Sequence, residues 1–184
     1  MRPVRSTQAH QTSNLAELVC SNSFRSSAIT NAVGLLKHEM SLLDSLVIRC
    51  GEQARVPAGD AFAVDRERFS LAVTQAIAEQ SGITLKREEV TTLDRGEYDF
   101  IVVATGPLTS TALFDAINGF LGHDGLYFYD AIAPILAADS LDMSKLYWKS
   151  RYDKGSSSDY LNAAMTREQY EAFIEALLAA ELYP

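Results

Sequence analysis

Long apolar runs, a secretory leader, a cysteine framework and an excess of basic residues are all missing from this sequence of 184 residues. No run of about 18 apolar residues occurs, so no membrane-spanning helix is expected. The basic residues of Met1-Arg2-Pro3-Val4-Arg5 are not followed by an apolar segment, so no leader is expected either, and the expected location is cytoplasmic. The two cysteines, Cys20 and Cys50, lie far apart without CxxC spacing, which excludes a disulfide framework or a thiolate zinc site. His10, His38 and His123 stand apart from one another and from carboxylates at any metal-ligand spacing, so no metal is expected. Lys and Arg number 16 against 24 Asp and Glu, and the net charge of −8 excludes an all-over electrostatic grip on nucleic acid. A local patch remains: Lys145, Lys149, Arg151 and Lys154 lie close together with Asp153 opposing them.

What is present is an ordinary globular composition, 47% hydrophobic and 22% charged, enough for one packed core and for one domain or slightly more. Residues 1–27 are polar and lack helical or strand period, apart from the apolar run at 15–19, which should bury and hold the segment as an ordered loop. From residue 29 to 48 the spacing of Val33, Leu36, Met40, Leu43 and Val47 predicts one helix with those side chains on its buried face. Arg55-Val56-Pro57-Ala58-Gly59 interrupts, residues 61–64 read as a short strand, and Asp65 caps a helix with Phe69, Val73 and Ile77 inward and Gly82 at its end. Residues 83–90 read as a strand, and residues 100–104, apolar throughout, as a strand buried on both faces. Thr109 or Ser110 opens a further helix that Gly122 closes, and Thr166 with Gln169 forms a capping box for a last helix with Tyr170, Phe173, Ile174 and Leu177 on its apolar face. This order predicts an α/β sheet with ligand chemistry at the carboxyl end of a strand.

Three segments are candidates for chemistry. Ala104-Thr105-Gly106-Pro107 follows the apolar run, where a glycine lets backbone approach a ligand and the next helix offers amides to an anion; a purely connecting turn explains the same residues. Cys20, set in Leu18-Val19-Cys20-Ser21-Asn22-Ser23, is either a nucleophile at a pocket mouth or an inert buried thiol, and Cys50 fits the inert reading better. Tyr127-Phe128-Tyr129-Asp130 and Ser150-Arg151-Tyr152-Asp153-Lys154-Gly155 can stack a base and hold its phosphate, or can be core aromatics beside a solvated loop.

Taken in order, these segments together with Met1-Arg2-Pro3-Val4, Asn31-Ala32-Val33-Gly34-Leu35-Leu36-Lys37, Ala63-Val64-Asp65-Arg66 and Asp159-Tyr160-Leu161-Asn162 give a more specific pattern. The sequence strongly resembles the FAD- and folate-dependent tRNA (uracil-C5-)-methyltransferases, a family related to the GidA flavoproteins. The likeness runs from Met1 to the final helix.

That resemblance implies an α/β fold: part of a Rossmann-like FAD-binding domain of glutathione-reductase type over residues 1–122, and the start of an α+β tRNA-binding insertion domain over 123–184. It implies transfer of a one-carbon unit from methylenetetrahydrofolate through reduced FAD to uridine C5 in the tRNA T-loop, with NAD(P)H supplying electrons. Cys20 matches one of the family's two functional cysteines. Ala104, Thr105 and Gly106, with Arg55 and Gly59, are the implied FAD contacts, and Arg151, Lys154 and Tyr129 the implied tRNA contacts. Two departures accompany the match. The family's GxGxxG strand-turn-helix precedes the Met-Arg-Pro-Val segment and is absent from this sequence, leaving a sheet edge for self-association. Asn162-Ala163-Ala164-Met165 stands where the family has Asn-Cys-Pro-Met, so Ala163 replaces the second cysteine. The expectation is an impaired methyltransferase, or alternatively a non-catalytic module that binds flavin or tRNA.

Overall fold

A computed structural model of the chain describes residues 6–7, 9–106, 108–122, 136–150 and 158–181. The chain divides into two compact units, Met1–Val56 with Phe62–Pro134, and Pro57–Ala61 with Ile135–Pro184. Helices and strands are mixed in it, as the expected α/β class requires.

The core of the first unit forms where two helices meet a short strand. Strand β1 (Ser23–Ser26) is followed by helices α1 (Ala32–Leu42) and α2 (Leu46–Gln53), strands β2 (Arg55–Val56) and β3 (Ala61–Val64), and helix α3 (Arg66–Ala78). The sheet order is β1-β3-β2, with β2 and β3 antiparallel in the register Arg55 to Val64 and Val56 to Ala63. Cys50 and Ala54 from α2 and its end, Val64 from β3, and Phe69 and Val73 from α3 make one buried cluster. Leu15, Leu18 and Phe24 pack against it, so the apolar run at 15–19 is anchored as its composition predicts. Phe24 sits edge-on to Phe69 with centroids 5.2 Å apart, a favoured aromatic geometry. Asp65 caps α3 by accepting from the Arg68 amide at 2.9 Å, and the predicted stripe Phe69, Val73 and Ile77 does face the core. The helix ends at Ala78, short of Gly82.

Two glycines are fixed by close approach. A Cβ on Gly34 would lie 1.9 Å from the Ala28 carbonyl oxygen, and one on Gly51 would lie 2.8 Å from the Phe62 ring. Helix α1 therefore rests on the backbone that precedes it, and α2 rests on a core aromatic.

The single helix expected from residue 29 to 48 is two. Asp44 adopts φ of +53°, a conformation that Asp tolerates better than most residues, and its carboxylate pairs with Arg49 at 2.6 Å. That left-handed residue resets the helical phase, so the stripe read across both segments is not one face. Leu36, Leu43 and Val47 are exposed, while Gly34, Ile48, Cys50 and Gly51 are buried.

Residues 83–90 and 100–104 are not strands. Phe100 and Val102 are 87% and 86% exposed. An apolar run becomes a buried strand only when neighbouring strands take its backbone hydrogen bonds and layers cover its faces. Among the described residues no strand pairs with it, so its apolar side chains have no sheet to join. Helix α4 (Thr111–Leu121) follows as predicted, with Ser110 as N-cap and Gly122 left-handed at φ +71° as its C-cap.

In the second unit, strands β4 (Leu146–Lys149) and β5 (Tyr160–Ala163) form an antiparallel pair that sets Leu146 opposite Ala163, and helix α5 (Arg167–Leu178) follows. The predicted capping box is present: the Gln169 amide donates to the Thr166 hydroxyl at 3.3 Å, and the Thr166 amide to the Gln169 side chain at 2.9 Å. Of the predicted apolar face, Tyr170, Phe173 and Leu177 are exposed and only Ile174 is half-buried.

Replacing Gly34 by Ala forces backbone apart and should lower stability by about 1–3 kcal/mol, as overpacking does. Gly119→Ala, with open space at its Cβ on α4, should be neutral or stabilise by up to about 1 kcal/mol. Midpoints of chemical denaturation check both; equal midpoints for the two variants would contradict the close approach at Gly34.

Candidate functional site

Cys20 lies at the surface on a segment held from three directions. Two residues after it, Asn22 accepts the Val64 amide on its carbonyl at 2.9 Å and returns a side-chain amide hydrogen bond to the Val64 carbonyl at 2.9 Å. The Arg66 guanidinium donates to the Cys20 carbonyl at 3.2 Å. On the other side Leu15 and Leu18 enter the core, and the Leu15 amide donates to the Thr74 hydroxyl at 2.8 Å. An exposed thiol on backbone pinned to a buried strand is the geometry a nucleophile needs: accessible to a reactant, with its position fixed beforehand. Cys50 is the opposite case. It is buried against Val64 and Phe69, and burial pushes its thiol up from the ordinary range while Arg49 pulls it back.

A cleft of about 450 Å³ opens beside the Cys20 segment, lined in part by Glu17, Val19, Arg87, Thr105, Thr109 and Leu113. Val19, next to Cys20, and Thr105 thus face one space. At its edge the Thr105 and Thr109 hydroxyls are 2.6 Å apart, and Thr109 also donates to the Gly106 carbonyl at 2.7 Å. Gly106 takes φ of +71°, and nothing lies within 4 Å of where its Cβ would be. The hydroxyls of Thr105 and Thr109, a helix start at Ser110 and open backbone at Gly106 are polar groups whose chemistry suits the oxygens of a nucleotide.

Arg55 and Gly59 were also expected as cofactor contacts. Arg55 lines a second pocket, where its guanidinium reaches Ser27 Oγ at 2.8 Å and Glu52 at 3.1 Å and lies over the Phe62 ring. Gly59 belongs to the second unit, and its amide already donates to an Asp159 carboxylate oxygen at 2.6 Å. Tyr160 donates its hydroxyl to the Ala58 carbonyl at 3.0 Å, so Ala58-Gly59 and Asp159-Tyr160, about a hundred residues apart, are laced together within the second unit. Both stretches stand out in the sequence as signatures, but at that separation nothing in the sequence announces their pairing. Ala163 ends β5 and is exposed, and Asn162 turns its side-chain amide onto the Lys149 and Tyr160 carbonyls. Tyr129, Arg151 and Lys154 lie outside the described residues. In the basic patch, Lys145 is paired with Asp142 at 2.9 Å, an acid the sequence reading had not set against it. Among the described residues no cluster of His, Cys, Asp and Glu suits a metal, and no helix is long and apolar enough to cross a membrane.

A thiol displayed on a pinned segment beside an open cleft, in a chain of mixed helix and strand, defines a class, an α/β protein with a candidate sulfur nucleophile. The chain belongs to the family described as glucose inhibited division protein A, whose model matches residues 4–183. It is 54% identical to a protein of Azorhizobium caulinodans named methylenetetrahydrofolate–tRNA-(uracil-5-)-methyltransferase TrmFO, over all of this chain and 40% of that protein. Identity to the proteins of the same name is 56% in Methylorubrum extorquens, over 98% of this chain and 39% of the relative, and 52% in Enterococcus faecalis, over 100% and 41%. The chain therefore spans about 40% of the length of the curated relatives it matches.

Exposure separates the two thiols experimentally. Iodoacetamide should modify Cys20 in the folded chain and leave Cys50 untouched until denaturant is added. Peptide mass mapping reads the difference, and simultaneous labelling of both would contradict the burial of Cys50. Because the folded chain raises the Cys50 pKa, its contribution to stability is fully present below the ordinary thiol pKa and is lost as pH rises beyond it.

Proposed function

We propose that this chain serves in the folate- and flavin-dependent methylation of uracil C5 in tRNA, with Cys20 as the thiol that adds to the ring. The observation that carries this reading is the exposed Cys20 on a segment pinned to β3, in a chain more than half identical to proteins named for that reaction. Uracil C5 is a weak nucleophile. A thiolate adding at C6 moves electron density to C5, which then takes the one-carbon unit, and the C5 proton must leave before the thiolate is expelled. Bound flavin would pass the one-carbon unit from methylenetetrahydrofolate, with NAD(P)H as the electron source. Thr105, Gly106 and the start of α4 are the residues of this chain that would hold the flavin, and Arg151, Lys154 and Tyr129 those that would meet the T-loop of tRNA.

Ala163 favours a reduced role. It has neither a thiol to add nor a proton to exchange, so a reaction that draws on two sulfurs has one here. The proposal is thus an impaired methyltransferase, and the second reading, a module that keeps flavin or tRNA binding without turnover, rests on the same alanine.

Purified chain given a tRNA transcript, labelled methylenetetrahydrofolate, FAD and NADPH should incorporate label into uracil slowly. Ala163→Cys should raise that rate by about 10²-fold or more, the usual scale for restoring a proton-transfer group, and Cys20→Ala should remove it. Retention of flavin or tRNA with no label in either the original chain or Ala163→Cys favours the binding module. Full incorporation by Cys20→Ala refutes the assignment of the thiol.

A further inference from the structure

The second pocket gathers charged groups to which the proposed reaction assigns no step. It measures about 360 Å³ and lies within the first unit, with Ser27, Lys37, His38, Glu52, Arg55 and Phe62 among its walls. Two cations meet in it and one carboxylate. Arg55 spends one terminal nitrogen on Glu52, at 3.1 and 3.3 Å, and the other on Ser27 Oγ at 2.8 Å, and its guanidinium carbon lies over the Phe62 ring, 5.2 Å from the centroid. The guanidinium is thus held still, while its Nε–H and further terminal hydrogens meet no partner among the described residues. Lys37 donates to the Ser26 carbonyl at 3.1 Å and the Val33 carbonyl at 3.2 Å, and its third ammonium hydrogen also meets none there. Neither contact of Lys37 is to a carboxylate, and desolvation together with the nearby Arg25 charge lowers its pKa. An ammonium that is partly buried, hydrogen-bonded only to neutral carbonyls and repelled by another cation gains from an incoming negative oxygen.

We propose that this pocket between α1, α2 and β2 binds an oxyanion, a carboxylate or a phosphate carried by a ligand, through Lys37 and the fixed guanidinium of Arg55. Helix α1 can present Lys37 here because Gly34, one turn before it, lets the helix rest against the Ala28 carbonyl. The apolar walls at Phe62 and Ile48 suit the body of an organic ligand rather than a bare hydrated ion. The inference rests on the proposed function only for its two sources, the glutamate carboxylates of folate and the phosphates of FAD.

Calorimetric titration of the whole chain at low salt tests it with three probes: inorganic phosphate, folic acid and FAD. At least one should bind saturably. Tighter folic acid than FAD identifies the carboxylate source, and tighter FAD the phosphate source. Lys37→Met and Arg55→Gln should each weaken that probe by about 10-fold or more, the scale of one charge-assisted hydrogen bond. Arg49→Gln, which removes an exposed cation outside the pocket, should leave binding unchanged, and circular dichroism shows whether each variant is folded. The proposal is overturned if no probe binds, if the two pocket variants bind as tightly as the original chain, or if Arg49→Gln weakens binding equally. Probe binding that needs Lys37, in a chain that never methylates tRNA even as Ala163→Cys, leaves the pocket assigned and defeats the proposed reaction instead.

Discussion

The first unit depends on how closely α2 can approach β3. Gly51 leaves just enough room for the Phe62 ring, and that contact brings Cys50 and Ala54 onto Val64 and so onto Phe69 and Val73 of α3. A methyl group at position 51 would lie 2.8 Å from the ring and lever the helix off the strand. Because interiors are packed to crystal-like density, such a displacement is shared by every neighbour rather than absorbed locally. Phe62 is also the surface on which Arg55 lies, so the cation of the second pocket and the hydrophobic core are set by one aromatic ring.

Val64 links this packing to the candidate nucleophile. Both of its backbone groups are bonded to Asn22, two residues beyond Cys20, and the buried side of that strand is the centre of the core. The position of the thiol is thereby a property of the core, although the thiol itself is exposed. The polar residues around it have local uses: Ser21 Oγ accepts the Ser23 amide, and Ser23 Oγ accepts the Arg25 amide, turns that let a strand begin in a serine-rich stretch.

Legibility followed whether an element's signal was local. Capping is local, and Asp65, Ser110 and Thr166 were all readable as helix starts because the side chain bonds an amide three positions ahead. The stripe Phe69, Val73 and Ile77 was readable because one uninterrupted helix carries it. The stripe across residues 29–48 failed at Asp44, where a single left-handed residue changes the phase without altering composition. Residues 100–104 failed for a different reason: strand formation belongs to a set of partners, and the composition of one member cannot supply the others. At the candidate site, the exposure of Cys20 accords with the small polar residues around it, whereas Lys37 was read only as part of a signature, since the pocket it shares with Arg55 comes from the packing of α1 and α2.

The tie between Gly59 and Asp159 shows how a signature can be structural and still bear on function. Its members lie on the loop that joins β2 to β3 and on the residue just before β5, the strand that ends at Ala163. A carboxylate on a backbone amide is among the stronger neutral-to-charged hydrogen bonds, and the Tyr160 hydroxyl on Ala58 adds a second fastening one residue away. Strand β5 is therefore held at its start by the loop and along its length by β4, which fixes where position 163 lies within its own unit. A sulfur at that position would be placed by these contacts and not by its own side chain. A cysteine in place of Ala163 would therefore alter the chemistry of one side chain and not the frame that presents it.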